Sequence, residues 1–161
     1  MDAAAPSAGV GSGPSGIGGW LVLPMLELFL TPLVGLAFLR TFPETLRYFN
    51  LLSGTQGAFV IFEFAFNSAL LILTPIALLV LFFEKRARFP KVYIGWSLVT
   101  LAFQLLDLPV AYYAFKEYFD NSGEPFLDPE TLHQLGKSLF SAVIWVPYML
   151  RSRRVRNTFV R

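Results

Sequence analysis

Four long apolar runs, Ile17 to Leu39, Ala58 to Phe83, Val92 to Phe115 and Leu132 to Leu150, alternate with short polar stretches along the chain. At a rise of 1.5 Å per residue each is long enough to cross a hydrocarbon layer of about 30 Å. Every run carries internal proline (Pro24, Pro32, Pro75, Pro109, Pro147), which removes one backbone hydrogen bond and predicts kinks that neighbouring helices support. The pattern therefore predicts an all-α integral membrane bundle of four transmembrane helices.

The polar stretches mark where those helices begin. Asp128 before Pro129 and Glu130 offers an N-cap with proline in the first helical position. In TFPETLRYFN, Thr41 and Glu44 have capping-box spacing, followed by Phe42, Leu46 and Phe49 at helical intervals. These residues predict a short helix lying at the membrane surface, against the alternative of a loop with scattered aromatics. Residues 1–16, MDAAAPSAGVGSGPSG, lack periodicity and apolar content and predict a disordered tail. No lysine or arginine precedes the first apolar run, so that run is expected to be a retained helix and not a cleaved signal.

Composition supports the bilayer as the solvent. The 161 residues are 55% hydrophobic and 15% charged, with a mean hydropathy of +0.56, too apolar for a soluble domain of this length. Charge distribution sets the orientation. Lys85, Arg86, Arg88 and Lys91 lie between the second and third runs, and Arg151, Arg153, Arg154, Arg156 and Arg161 follow the fourth, making nine of thirteen basic residues. The other connections hold Arg40, Arg47 and Lys116, with Glu117, Asp120, Glu124, Asp128 and Glu130 in the second of them. The basic bias predicts that both termini are cytoplasmic, residues 17–150 forming the membrane domain and 151–161 a basic tail. Anionic lipid is the nearest polyanion for that tail, so Lys85, Arg86, Arg88, Lys91, Arg151, Arg153, Arg156 and Arg161 are lipid-contact candidates and nucleic acid is not an expected partner.

Chemistry-bearing residues are few. The chain has no cysteine and one histidine, His133, so thiolate chemistry is excluded and no metal centre or cofactor is expected. Gly11, Gly13 and Gly16 match G-x-G-x-x-G, but no strand leads into them and a membrane run follows, which removes the dinucleotide reading. No hydrolase or metalloprotease signature is present, and an enzyme is not expected. Glu27, Glu63, Asp107 and Lys137 are ionisable residues inside the runs, joined by Asn67 and Gln104. Counting along the helices places Glu27 near the midplane and Glu63, Asp107 and Lys137 in the outer half. Charges at this depth face the protein interior, with Lys137 available to pair with Asp107 or Glu63. They are either a packing network or a relay for ions or protons. Ala65 with Ala69 and Ser138 with Ala142 permit close helix approach. Tyr112, Tyr113, Tyr118, Trp20, Trp145 and Tyr148 read as interfacial aromatic belts.

Two ends of the chain carry a resemblance. Gly18-Gly19-Trp20-Leu21 at the start, and Trp145, Pro147-Tyr148 and Ser152-x-Arg154-Val155-x-x-Thr158-Phe159 at the end, resemble the bacterial membrane proteins grouped as domain of unknown function 2569. The resemblance covers residues 17–160 and implies a small four-span protein of the bacterial inner membrane. The specific order of Ser152, Arg154, Val155, Thr158 and Phe159 suggests a tail that docks on the bundle or on a partner. The expected role is association, as a homo-oligomer or an accessory subunit. The alternatives are a small transporter using the intramembrane carboxylates and a lipid-modifying enzyme.

Overall fold

The structure, a computed structural model, describes residues 15–123 and 125–160. Residues 1–14, Glu124 and Arg161 fall outside it, and with them most of the expected N-terminal tail. All regular elements among the described residues are helical. A single 3-10 turn, Gly19–Leu21, leads into α1, Val22–Leu39. After α2 (Phe42–Arg47) and a second such turn, the second long helix is built from α3, Gly54–Ser68, a π-helical turn, Ala69–Leu73, and α4, Thr74–Phe83. The remainder is α5 (Phe89–Ala114), α6 (Lys116–Ser122), α7 (Pro129–Arg151) and α8 (Arg153–Thr158).

Three of these, spanning Gly19–Arg47, Gly54–Phe83 and Phe89–Ala114, are long and apolar enough to cross a membrane. The fourth, α7, has the length at 23 residues but is diluted by His133, Gln134, Lys137, Ser138 and Ser141. Its start follows the sequence expectation, because the Asp128 side chain accepts a hydrogen bond from the Thr131 amide at 2.6 Å. The Thr131 backbone donor holds the exposed Asp128 carboxyl below its ordinary range. The capping box lies elsewhere than expected. Thr41 has helical backbone angles, since α1 runs almost directly into α2, and its hydroxyl bonds back to the Phe38 carbonyl. Ser53 and Gln56 instead make the reciprocal pair at the start of α3.

The π-helical turn is explained by Pro75. A proline ring clashes with the carbonyl four residues back, and widening the preceding turn relieves that clash. Within it the Thr74 amide and hydroxyl both reach the Ala69 carbonyl, the latter at 2.9 Å. The next carbonyl in this register, that of Leu70, faces Pro75, which has no N–H. Trp96 on α5 supplies the donor, its indole Nε1 lying 2.9 Å from the Leu70 oxygen. Trp96→Phe is expected to strand this carbonyl and to cost about 1–3 kcal/mol. A thermal-unfolding midpoint equal to wild type would remove the indole from the account.

α1 crosses the second helix at the π-helical turn. A side-chain carbon at Gly35 would stand 2.5 Å from Cγ1 of Ile72 and 3.0 Å from Cβ of Leu71, so only glycine permits this approach. The buried core gathers Leu21 and Leu28, Leu70, Leu78 and Phe82, Phe89, Tyr93 and Trp96, and Met149, Val155 and Phe159. These residues concentrate at the end of the bundle where the Lys85–Arg88 connection and both described chain ends meet, which we call the basic end. The opposite, acidic end is tied by Gln56 Nε2 to the Ala114 carbonyl at 2.7 Å and by ring contact between Phe59 and Phe115.

Candidate functional site

Glu27 is held by hydrogen bonds from two other helices. Its two carboxylate oxygens each accept a hydroxyl hydrogen bond at 2.6 Å, Oε2 from Tyr93 on α5 and Oε1 from Ser141 on α7. One side chain thereby joins three helices. Tyr93 is fully buried between Phe89 and Trp96, whose rings lie 5.8 and 5.6 Å away. The turn carrying Glu27 is reinforced by Thr31, whose hydroxyl donates to the Glu27 carbonyl at 2.7 Å. Packing between α1 and α7 is sparse, whereas α5 and α7 pack extensively. The Glu27–Ser141 bond is therefore a direct tie between the first and last long helices.

The other intramembrane acids form a separate group. Glu63 on α3 and Asp107 on α5 lie close enough for their charges to repel. From Tyr93 to Asp107 is fourteen residues of α5, or about 21 Å, so the acids do not converge on one centre. Tyr93, Ser97, Thr100, Gln104 and Asp107 recur at intervals of three and four, forming one polar stripe along the helix. Within it Thr100 Oγ1 and Gln104 Oε1 are buried without hydrogen-bond partners. Asn67 is half-buried on α3.

Lys137 corrects the sequence reading. It does not pair with Asp107 or Glu63, and the ion pair found among the described residues joins exposed Arg86 and Glu84 at 2.8 Å. The reason is its angular position on α7. Ser138, Ala142, Trp145 and Met149 form the side turned into the protein, and Lys137 lies outside that stripe and is exposed.

The two ends of the chain meet at the basic end. Ser152 terminates α7 and caps α8, accepting from the Val155 amide at 3.4 Å. α8 turns Val155, Thr158 and Phe159 inward, each at most 4% exposed. Phe159 stacks on Phe89 with ring centroids 4.6 Å apart and meets Phe82 at 5.5 Å. Thr158 Oγ1 accepts from the Gly16 amide at 3.0 Å and donates to its carbonyl at 3.3 Å. The Arg154 guanidinium lies over Gly18 and Gly19, where an added side-chain carbon would be 3.1 and 3.3 Å from its Nη1. Trp145 and Tyr148 touch edge to face at 5.8 Å. Trp20 is largely exposed, as are Arg86, Arg88, Lys91, Arg151, Arg153 and Arg156, while Lys85 is half-buried in the turn after α4. Among the described residues no group of three or more potential metal ligands occurs.

Sequence reading singled out Glu27 but not its partners Tyr93 and Ser141, nor Thr100 or Trp96. The stripe on α5 was available as a three-and-four spacing of polar residues within an apolar run. The convergence of Tyr93 and Ser141 on Glu27 was not, because it depends on how three helices rotate against one another.

Long proline-bearing helices, an apolar exterior and polar groups held between helices define a polytopic α-helical membrane protein. The chain belongs to the family described as protein of unknown function (DUF2569), whose profile matches residues 14–160. Over 158 residues it is 32% identical to the inner membrane protein YdgK of Escherichia coli (strain K12), covering 91% of this chain and 95% of that protein. No solved structure matches. The protein is accordingly a multi-pass protein of the bacterial inner membrane.

Proposed function

We propose that this protein spans the membrane four times with both termini in the cytoplasm, and that it acts by lateral association through α7, as a homo-oligomer or as an accessory subunit of a larger membrane complex. The observation that carries this reading is the exposed position of Lys137, with Gln134 and His133 beside it, on a helix otherwise long enough to span. An unpaired lysine at bilayer depth costs about 2.5–3.5 kcal/mol on insertion scales, and a polar partner helix offsets that cost. Positive-inside bias places the basic end in the cytoplasm, and a periplasm-active reporter that works when fused after Arg161 would overturn this orientation.

The chain has no cysteine, so Gly136→Cys creates a unique thiol at a site where an added Cβ meets nothing within 4 Å. In native membranes this variant is expected to cross-link, to its own copy or to one second protein, through a short bis-maleimide. Leu36→Cys on the exposed face of α1 is the control. Monomer alone from both variants would refute association through α7.

Glu63 and Asp107 favour a second reading, in which the protein handles a proton or a small cation. Two like charges near each other without a cationic partner are relieved by sharing one. This reading expects flux in proteoliposomes that Glu63→Gln abolishes, and it involves Glu27 only as a helix-joining group.

A further inference from the structure

The basic end carries a feature that association does not use. Arg154 projects from α8 across the backbone of Gly18 and Gly19, and among the described residues no carboxylate pairs with it. Val155 and Thr158 on the same short helix, with Phe159 just after it, already hold the tail on the bundle, so the guanidinium is not needed as the anchor. Directly below it Gly19, Trp20 and Leu23 line a shallow groove open to the surroundings. Trp20 is 67% exposed and Leu23 46%, and the apolar surface continues along α1 through Leu26 and Leu30. A fixed cation therefore stands at the head of an apolar track that runs toward the membrane interior. Exposed Arg151 and Arg153 add positive potential around it.

We infer that this groove binds an anionic phospholipid of the leaflet at the basic end, with the phosphate on the Arg154 guanidinium and an acyl chain along Trp20 and Leu23. The occupant follows from charge and depth together. A planar guanidinium pairs with phosphate oxygens through two parallel N–H donors, and a lipid supplies both that phosphate and a chain of the right polarity beneath it. Gly18 and Gly19 matter because a side-chain carbon at either would stand 3.1 or 3.3 Å from Arg154 Nη1, so their bare backbone lets the guanidinium lie there. Gly19 also has φ +56°, a conformation that other residues adopt only under strain.

Trp20 provides the readout. Full-length protein in zwitterionic nanodiscs is titrated with brominated phosphatidylglycerol or brominated phosphatidylcholine, and the Trp20 contribution is isolated by difference from Trp20→Phe. The anionic lipid is expected to quench at a mole fraction about tenfold lower than the zwitterionic one. Arg154→Gln is expected to bring the two curves together, and Arg153→Gln to leave the preference in place. Should Arg154→Gln fail to fold, Leu23→Glu sets a carboxylate on the path of the acyl chain beneath the phosphate, where it repels an anionic lipid, and is expected to abolish the preference by itself. Inorganic phosphate in excess is expected to leave quenching unchanged. Equal quenching by both lipids, a preference that survives Arg154→Gln or Leu23→Glu, or competition by free phosphate would each overturn the lipid site. The result is independent of whether α7 associates, since the groove is lined by Gly19, Trp20 and Leu23 and its cation stands on α8.

Discussion

Replacing Phe159 by alanine is expected to lower stability by about 3–5 kcal/mol, the range for removing a buried aromatic ring. The residue is third from the end of the chain and 4% exposed, inserted between Phe82 at the end of α4 and Phe89 at the start of α5. Its loss leaves a void between the ends of two long helices and removes one of the contacts that hold α8 in place. The effect should appear in thermal unfolding of purified protein and in faster proteolysis at the exposed arginines of the tail. Val160→Ala, at a position 69% exposed, serves as the neighbouring control and should change stability by less than about 0.5 kcal/mol. Equal behaviour of the two variants would mean that the tail does not pack as described. A tail carrying the same arginines in scrambled order should not rescue truncation after Ser152, because the apolar and hydroxyl groups at Val155, Thr158 and Phe159 do the packing.

Glu27→Leu is expected to cost about 2–6 kcal/mol, because it leaves two hydroxyls without their acceptor in the interior, each worth about 1–3 kcal/mol. The hydroxyls are those of Tyr93 and Ser141, both at 2.6 Å. Glu27→Gln is the milder change, since an amide oxygen still accepts one hydroxyl and the amide nitrogen can donate to the serine oxygen. A double-mutant cycle with Tyr93→Phe separates the pair from the rest of the site. Removing both partners should recover part of the loss, with a coupling energy of about 0.5–3 kcal/mol. If Glu27→Leu unfolds at the wild-type temperature, Glu27 does not join the helices.

These two sites divide the bundle into unlike halves. Near the basic end, Glu27, Trp96 and Phe159 tie the polar atoms and rings of separate helices together. Toward the acidic end, Thr100 and Gln104 retain unpaired buried oxygens and Glu63 feels the like charge of Asp107. Satisfied hydrogen bonds and unsatisfied polarity thus lie toward opposite ends of the bundle.

The sequence by itself determined the membrane setting, the run of long helices and the positions of most helix ends. Those properties follow from hydrophobic length, proline placement and local capping, which act over a few residues. Asp128 is a clear case, and Thr41 marks the limit, since its capping spacing was present but continuation from α1 gave it a helical backbone instead. The basic connection after α4 and the basic tail also lie at one end of the bundle, where Phe159 meets Phe82 and Phe89. Only the tertiary structure decided which polar groups meet. Rotation of each helix about its axis turned Tyr93 and Ser141 toward Glu27, turned Lys137 away from the acids, and brought Trp96 to the carbonyl that Pro75 leaves free. In lipid, apolar residues are acceptable on every side of a helix, so hydrophobic pattern alone does not fix that rotation. It is set by close approach at Gly35 and by the few hydrogen bonds between helices.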